Sequence, residues 1–459
     1  MKYVPYSDYK PSPFAWLDRM PAHWEAGALR WMSRRYAGGT PDKSNEAYWE
    51  DGDIPWINSG AVNDGYITEP SALITREGFT NSSAKWIPKD ALVMALAGQG
   101  KTKGMVAQLG IETTCNQSMA AIIPDHRLVP RYLFWWLSAN YQNIRNLAGG
   151  EARDGLNLDM LGSIQCPLPL QPEQEAIARF LDAKTAQIDT LVAKKRQLIE
   201  KLKEKRSALI ARTVTRGLPP EAAKAAGLEP NPEMKDSGVD FLGVVPSTWN
   251  IVRLKHVLKA KKGAIKTGPF GSQLHSSEML DSEIKVFNQR TVIDRDISSG
   301  DNYISLEKFN ELRSFEVFPG DLLVTTRGTI GRCMVIPSDA EKGILHPCLM
   351  RLQLNKAHIT DRYLELLIEE SGFVLDQLKL MSNATTIEVI YSESLKEVWL
   401  AVPPLAEQFG IIEYLDCEAA KFDALIERTD VAVDRLTEYR QALITSAVTG
   451  KIDVREAVA

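Results

Sequence analysis

The stretch PLQPEQEAIARFLDAKTAQIDTLV, from Pro169 to Val192, decides the fold because the chain repeats it as PPLAEQFGIIEYLDCEAAKFDALI, from Pro403 to Ile426. Each copy opens with proline and an early glutamate, which is typical of a helix N-terminus. Identical residues lie 234 positions apart: Glu173, Gln174, Leu181, Asp182, Asp189 and Arg206 match Glu407, Gln408, Leu415, Asp416, Asp423 and Arg440. The sequence therefore predicts one long helix that is built twice.

The segments that precede these helices are repeated as well. The stretch from Tyr9 to Trp24 returns from Met234 to Trp249 at an offset of 225, and Asn58 matches Asn288 at an offset of 230. The offset drifts before the helices but stays constant within them. We infer a tandem duplication in which helices of fixed length carry modules that have diverged in length.

Each half of the chain is predicted to be a β-rich module followed by a long helix. The runs ALVMALAGQGKTKGMVAQL from Ala91 and DLLVTTRGTIGRCMVI from Asp321 predict two strands around a glycine-rich turn, and short helices are predicted from Arg131 and Asp361. The predicted fold class is α+β, with two mixed, β-rich domains joined by two long helices that pair as an antiparallel coiled coil, in a pseudo-twofold internal duplication. The predicted segments are 1–165 (first domain), 166–217 (central helix), 218–234 (linker), 235–402 (second domain) and 403–459 (distal helix).

The long helices carry apolar residues at the spacing of a coiled-coil seam. The predicted seam consists of Ile188, Leu191, Leu198, Leu202 and Leu209 in the first helix and Phe422, Leu425, Ala432, Leu436, Tyr439 and Leu443 in the second. Residues 166–217 hold 11 Lys/Arg against 6 Asp/Glu, whereas residues 403–459 hold 6 against 11. These opposite balances favour pairing of the helices with each other; the alternative is that each helix packs only on its own module.

Composition and charge limit the class of protein. The 459 residues exceed one hydrophobic core, and the apolar fraction of 44% is ordinary for a folded chain. No apolar run has the length of a membrane span and the first residues lack a secretion signal, so we expect a cytoplasmic protein without membrane contact. The five cysteines are scattered, which favours reduced thiols. The net charge of −5 argues against a free-standing DNA-binding protein but not against a subunit whose partners supply phosphate contacts.

Motifs for catalysis are incomplete, so no catalytic residue is predicted. AGQGKT, from Ala97 to Thr102, resembles the end of a phosphate-binding loop, but a strand-like run follows where that loop needs a helix. NPEM from Asn231 is the nearest phrase to an adenine methyltransferase motif and lacks its second proline and aromatic residue. Asp51 and Asp53 could suggest nuclease chemistry, but their context is a turn. No metal site is predicted, and the pair His346 and Cys348 is interpreted as structural.

A binding function remains once catalysis is set aside, since a chain with two similar modules can bind a ligand that has two similar ends. Arginine pairs with guanine and asparagine or glutamine with adenine, so polar loop residues of these types suit base recognition. The candidate DNA-binding residues are Asn58, Ser59, Gln99, Lys101, Lys103, Asn116 and Gln117 in the first module and Lys266, Ser272, Gln273, Asn288, Gln289, Arg290, Arg327 and Arg332 in the second. The alternative for each of them is a solvated turn residue.

Several segments of the sequence resemble segments found in the specificity subunits of type I restriction-modification systems. They are GGTPDKSNEAYWEDGDIPWINSG from Gly38, KTGPFGSQL from Lys266, MKDSGVDFLGVVPSTW from Met234, the twice-used PxxxEQxxIxxxLD helix start (from Pro169 and Pro403) and the ALIxxxVT helix end (from Ala208 and Ala442). The resemblance covers nearly the whole chain and includes the order of modules and helices. It implies that each module is a target recognition domain and that the paired helices are the conserved spacer.

The resemblance also implies a function and a set of partners. The chain would read a bipartite, asymmetric site in double-stranded DNA, one half per module, with the helices setting the gap. It would dock modification (methyltransferase) subunits, expected as two copies, and motor-nuclease restriction subunits. S-adenosylmethionine, ATP and Mg would bind those partners and no cofactor would bind this chain. The other readings are a coiled-coil scaffold whose modules bind protein and an enzyme with a site between its modules.

Overall fold

The computed structural model describes residues 3–14, 16–98, 101–147, 155–280, 283–300, 302–382 and 388–458. The chain forms two compact units. The first contains Met1–Arg196 together with Val431–Ala459, and the second contains Gln197–Asp430. Each unit therefore takes a part of both long helices, whereas the boundaries predicted from the sequence assign each helix a segment of its own.

The first unit contains short strands grouped into several sheets. Its strands are β1 (Tyr9–Pro11), β2 (Arg19–Pro21), β3 (Glu25–Ala28), β4 (Ser33–Ala37), β5 (Ile54–Ile57), β6 (Tyr66–Ile67), β7 (Ala72–Ile74), β8 (Leu92–Ala95), β9 (Val106–Leu109), β10 (Thr114–Cys115), β11 (Met119–Pro124) and β12 (Gln165–Leu168). The main sheet has the order β4-β11-β8-β9-β6, a second sheet has the order β10-β5-β7, and β1-β2 and β12-β3 form two-stranded pairs.

The second unit repeats this plan. Its strands are β13 (Met234–Asp236), β14 (Val244–Pro246), β15 (Asn250–Arg253), β16 (Ile265–Thr267), β17 (Ile284–Phe287), β18 (Tyr303–Ile304), β19 (Glu316–Val317), β20 (Leu322–Thr325), β21 (Cys333–Val335), β22 (Gly343–Leu345), β23 (Leu349–Leu352) and β24 (Trp399–Val402). The main sheet has the order β16-β23-β20-β21, a second sheet has the order β18-β17-β22-β19, and β13-β14 and β15-β24 are pairs.

Strand register confirms the duplication. In the first unit Ile54 lies opposite Ile74, and in the second Ile284 lies opposite Ile304, so both partners have moved by 230 positions. The two predicted hairpins are also present, because β8 pairs antiparallel with β9 and β20 pairs antiparallel with β21. Met94 is opposite Val106 whereas Val324 is opposite Cys333, so the first hairpin has three more residues in its turn than the second.

The helices differ widely in length. They are α1 (Arg76–Thr80), α2 (Pro130–Ala139), α3 (Tyr141–Asn146), α4 (Leu158–Ser163), α5 (Gln171–Arg216), α6 (Pro220–Ala225), α7 (Gln289–Asp294), α8 (Leu306–Glu311), α9 (Asp361–Glu365), α10 (Phe373–Ser382), α11 (Ser392–Lys396) and α12 (Leu405–Val448). The helices α2 and α9 fall where the sequence predicts them, and α9 continues as a π-helical turn over Leu366–Glu370. At 46 and 44 residues, α5 and α12 are the two predicted long helices.

Ion pairs show how α5 and α12 pack within each unit. In the first unit Asp189 lies 2.8 Å from Arg440, and in the second Arg206 lies 3.2 Å from Asp423. These residues are the predicted equivalents at an offset of 234, with the acidic and basic partners exchanged between the helices. The start of α5 lies near the end of α12 in the first unit, since Trp24 contacts both Glu173 and Gly450. The helices therefore pack antiparallel, as predicted.

The seam between the helices contains part of the predicted one, since Ile188, Leu202, Leu209, Phe422, Leu436 and Leu443 lie in it. The positions that are buried or half-buried at heptad spacing are 181, 185, 188, 192, 195, 199, 202, 206, 209 and 213 in α5 and the same positions plus 234 in α12. Leu191 and Leu198 are exposed, as are Leu425 and Tyr439, so their assignment to the seam was wrong. Leu191 and Leu198 directly precede the seam residues Val192 and Ile199, so two neighbouring apolar heptad patterns run along α5.

The predicted linker has structure of its own. It contains α6, whose Ala223 is buried, and the Ala226 and Leu228 side chains lie against Gly410 in the first turns of α12. A Cβ atom at Gly410 would lie 3.3 Å from both of them. The proline- and alanine-rich segment is thus part of the second unit's core.

Each unit has its own hydrophobic core. The largest cluster of the first unit surrounds Trp24, Tyr132 and Trp136, and that of the second surrounds Trp249 and Tyr363. No helix in the described part of the chain combines the length and the apolar character of a membrane span.

Candidate nucleic-acid interface

Polar residues of the first unit meet where two parallel strands end. Asn58 follows β5, Asn116 follows β10, and the backbone N–H of Asn116 donates to the carbonyl of Ile57 over 3.0 Å. The Asn58 side chain accepts a hydrogen bond of 2.8 Å from the Gly60 N–H, which starts the 3₁₀ helix that contains Ser59. Because the carboxyl ends of parallel strands share one edge of a sheet, both asparagines lie on the same edge.

A glycine turn closes against this edge. A Cβ atom at Gly38 would lie 2.1 Å from the carbonyl oxygen of Cys115, so only glycine fits there. The turn brings the Thr40 hydroxyl to the Oε1 atom of Gln117, to which it donates a hydrogen bond. The Oδ1 atom of Asn116 is buried and accepts no hydrogen bond from the described residues. The first unit therefore places Asn58, Ser59, Asn116 and Gln117 at or beside one strand-end edge.

The candidate lysines of the first hairpin differ in exposure. Lys101 is exposed, and its carbonyl oxygen accepts a hydrogen bond of 2.6 Å from the Tyr141 hydroxyl, which in turn accepts one of 2.8 Å from Arg145. Lys101 and Arg145 line a cavity of about 760 Å³. Lys103 is only 3% exposed, which does not favour a contact with DNA. Gln99 lies outside the residues that the structure describes.

The second unit builds the same strand-end geometry. Asn288 follows β17, His346 follows β22, and the backbone N–H of His346 donates to the carbonyl of Phe287 over 2.9 Å. A Cβ atom at Gly268 would lie 2.1 Å from the carbonyl oxygen of His346, and one at Gly38 would lie 2.5 Å from the carbonyl oxygen of Asn116. Asn288, His346 and Gly268 are thus the structural equivalents, at an offset of 230, of Asn58, Asn116 and Gly38.

Polar side chains surround a cavity of about 560 Å³ beside this edge. The Asn288 side chain donates to Asn302 over 2.7 Å and caps α7. The Gln289 amide donates to the carbonyl oxygens of Arg327 and Thr329, over 2.9 and 3.2 Å, which ties α7 to the β20–β21 turn. The Arg290 guanidinium is exposed and lies 3.6 Å from Asp294. Asn288, Gln289 and Arg290 therefore share one site.

A second cavity, of about 540 Å³, is lined by the glycine turn of this unit, residues 268–271. Lys266 lines it, with its Nζ atom 4.5 Å from the centre of the Phe315 ring, and Arg327 lines it as well. The Phe270 side chain is 78% exposed at the tip of the turn. Gln273 accepts a hydrogen bond of 3.0 Å from the Phe270 N–H, and Ser272 between them is exposed.

Arg332 is held in a network of charges instead of pointing freely into solvent. Its Nη1 atom lies 2.7 Å from Glu369, a residue of the π-helical turn that also accepts hydrogen bonds from Arg295 and the Cys333 N–H. Arg206 of α5 lies 3.0 Å from the neighbouring Glu370. The network fastens the hairpin and α5 to the same turn, so the Arg332 guanidinium is already partly neutralised.

Some residues of these sites were missed in the sequence. Thr40, Asn302 and His346 were not candidates, although His346 lies 230 positions after Asn116 and the offset from Asn58 to Asn288 would have found it. Strand pairing shows the same equivalence in space, because the residue after β10 and the residue after β22 each donate a backbone hydrogen bond to the last residue of the neighbouring parallel strand.

Comparison with known proteins gives the family. Residues 24–201 and 246–429 match the family described as type I restriction modification DNA specificity domain. The chain is 27% identical over 167 residues to the EcoR124I/EcoR124II specificity subunit of Escherichia coli, covering 35% of this chain and 41% of that protein. It is 21% identical over 444 residues to the StySPI specificity subunit of Salmonella potsdam, covering 95% of this chain and 90% of that protein.

Solved structures show the same fold. A chain from a type I R-M system has a TM-score of 0.67 at 18% identity, covering 94% of this chain and 99% of that chain. The HsdS subunit from Thermoanaerobacter tengcongensis has a TM-score of 0.51 at 16% identity, covering 94% and 98%.

The two copies of this domain define the class of protein, which is a DNA-specificity subunit. The chain belongs to the family of type I restriction modification DNA specificity domains, as its resemblance to these subunits predicted.

Proposed function

We propose that this chain reads a bipartite, asymmetric site in double-stranded DNA, one half with each unit. The observation that carries the proposal is the strand-end site, which occurs once in each unit with the same backbone and different side chains. Thr40 in the first unit corresponds to Phe270 in the second, and Asn116 corresponds to His346. Equivalent frames with different side chains suit two half-sites of different sequence.

The candidate residues fall into two roles under this proposal. Asn58, Gln117, Asn288 and Gln289 lie on the strand-end edges, where the amide donors and acceptors that are not used within the protein can read base edges. Lys101, Arg145, Lys266 and Arg327 line the neighbouring cavities, where cations suit phosphates. The net charge of −5 leaves much of the phosphate neutralisation to partner subunits.

The partners proposed are modification subunits, in two copies, and restriction subunits. Exposed apolar residues on the outer faces of the long helices support helix docking: Leu191 and Leu198 on α5, and Leu425 and Tyr439 on α12. Leu191 and Leu425 are equivalent positions, so two copies of one partner could use equivalent surfaces. S-adenosylmethionine, ATP and Mg are proposed to bind these partners.

The test is co-expression of the full chain with its modification subunit, followed by modified-base sequencing of the host DNA. The expected result is methylation confined to one motif with two specific halves and a fixed gap. A gel shift with the same complex should show retention of duplexes that carry the motif over duplexes with either half scrambled. Methylation without a motif, or equal retention of all duplexes, would overturn the proposal and favour a protein-binding scaffold.

A further inference from the structure

Positions 116 and 346 have the same backbone environment and different side chains. Each N–H donates to the last residue of the neighbouring parallel strand, and each carbonyl lies against a glycine that leaves no space for a Cβ atom. The equivalence continues along the chain, since the Leu96 N–H donates to Ser118 as the Thr326 N–H donates to Cys348. The backbone therefore presents both side chains in the same way, and their chemistry alone differs.

Hydrogen bonding determines the tautomer of His346. Its Nδ1 atom accepts a hydrogen bond of 3.2 Å from the Cys348 N–H, so the proton of the neutral ring is on Nε2. Burial lowers the pKa of His346 below its usual value, which keeps the ring neutral near pH 7. Within the described ranges, no protein group accepts a hydrogen bond from Nε2.

The His346 side chain lines the cavity of about 560 Å³ together with Asn288, Gln289, Arg290 and Asn302. Asn288 and Gln289 already use amide groups on partners within the protein. His346 therefore adds an uncommitted N–H donor to a cavity whose other amides are largely occupied. In the first unit Asn116 takes this position and has no ring nitrogen at the place of Nε2.

We propose that His346 is a specificity-determining residue, whose Nε2–H donates to a hydrogen-bond acceptor on a base in the half-site read by the second unit. The acceptors available in the major groove are N7 and O6 of guanine, N7 of adenine and O4 of thymine. The proposal rests on the proposed function. It adds that residue 346 is one cause of the difference between the bases that the two units read.

Two substitutions differ in whether a donor stands at the place of Nε2. In His346→Asn nothing replaces the Nε2 donor, and at the equivalent position of the first unit the Oδ1 atom of Asn116 accepts no hydrogen bond from the described residues. This variant also installs the residue that position 116 carries, in the same backbone frame. In His346→Gln the amide nitrogen reaches the place of Nε2 and keeps a donor there. The variants thus remove or retain the proposed contact while the strand-end backbone is preserved.

The measurement is methylation of duplexes with one altered base pair, by the complex of the full chain with its modification subunit. H346N should lose about fivefold to 150-fold of its discrimination at one base pair, since leaving one buried acceptor without its donor costs about 1–3 kcal/mol. H346Q should keep most of that discrimination, and both variants should read the other half-site as the wild type does.

Unchanged discrimination in H346N would overturn the proposal, as would an equal loss of rate on every duplex. Equal relaxation in H346N and H346Q would also overturn it, because a donor at the Nε2 position would then not matter. These results differ from failure of the proposed function, in which the wild-type complex itself would show no bipartite motif.

Discussion

The buried carboxylate of Glu173 should be a main support of the first unit. It is 5% exposed at the start of α5 and accepts hydrogen bonds from the Tyr6 hydroxyl (2.6 Å), the His23 Nε2 (2.9 Å) and the Trp24 indole (3.0 Å). Trp24 is fully buried. Glu173 therefore connects the N-terminal segment of the chain to the long helix.

Removing this carboxylate leaves buried donors without an acceptor. In Glu173→Ala the Tyr6 hydroxyl and the Trp24 N–H lose their partner, at about 1–3 kcal/mol for each group. The free energy of unfolding of the first unit should fall by roughly 3–5 kcal/mol, within the range for breaking a buried charged contact. Glu173→Gln keeps one acceptor oxygen, so its loss should be about half as large.

The equivalent residue of the second unit, Glu407, is a matched control. Burial raises the pKa of Glu407 above its usual value, although the neighbouring Trp249 indole acts in the opposite direction. A raised pKa means that the folded chain favours the neutral form of Glu407. The free energy of unfolding therefore falls as the pH rises above the usual pKa of a glutamate and the carboxylate ionises. Glu407→Gln should therefore leave stability unchanged near pH 7 or increase it slightly.

The assay is hydrogen exchange read peptide by peptide, because two units need not unfold as one. E173Q and E173A should lose protection in peptides from residues 16–40 and 171–190, while E407Q keeps wild-type protection in the second unit. Equal losses in E173Q and E407Q, or none in E173A, would refute the reasoning.

Two further predictions follow from the same geometry. Gly38→Ala and Gly268→Ala should each lower the melting temperature and weaken recognition of one half-site, because the new Cβ atom would lie 2.1 Å from a backbone oxygen. Gly271→Ala is the control: its Cβ atom would have no other atom within 4 Å, so this variant should have the melting temperature of the wild type. One heptad inserted after Lys194 and another after Arg428 should lengthen the gap between the two half-sites by about three base pairs, because seven helical residues rise about 10 Å and one base pair rises about 3.4 Å. Modified-base sequencing measures the gap. A change in either half-site sequence would contradict the prediction.

Much of the fold could be predicted because duplication leaves a record in the spacing of residues. The pairs Asp189–Arg440 and Arg206–Asp423 are identical residues at one offset, and the structure joins them in antiparallel contact. Apolar spacing located the seam only in part, since helices of this length have apolar residues on more than one face. Leu191 and Leu198 continue the heptad on the outer face, whereas Thr185 and Arg206 lie on the inner one.

The candidate site was predicted less completely, because a sequence does not show which strand ends meet. Asn58 and Asn116 are far apart in the chain, and only the parallel pairing of β5 with β10 brings them together. Lys103 lies in a polar turn yet is buried, since the turn folds onto α3. The role of each candidate in binding DNA stays a prediction.

The central claim is that each unit reads its own half-site, and a domain exchange tests it most directly. Residues 1–168 should be replaced with those of another specificity subunit, since this boundary moves β3 and β12 together and leaves α5 in place. Modified-base sequencing of the hybrid with its modification subunit should show one new half-site, the original second half-site and the original gap. A motif with both halves changed, or with neither changed, would contradict the account.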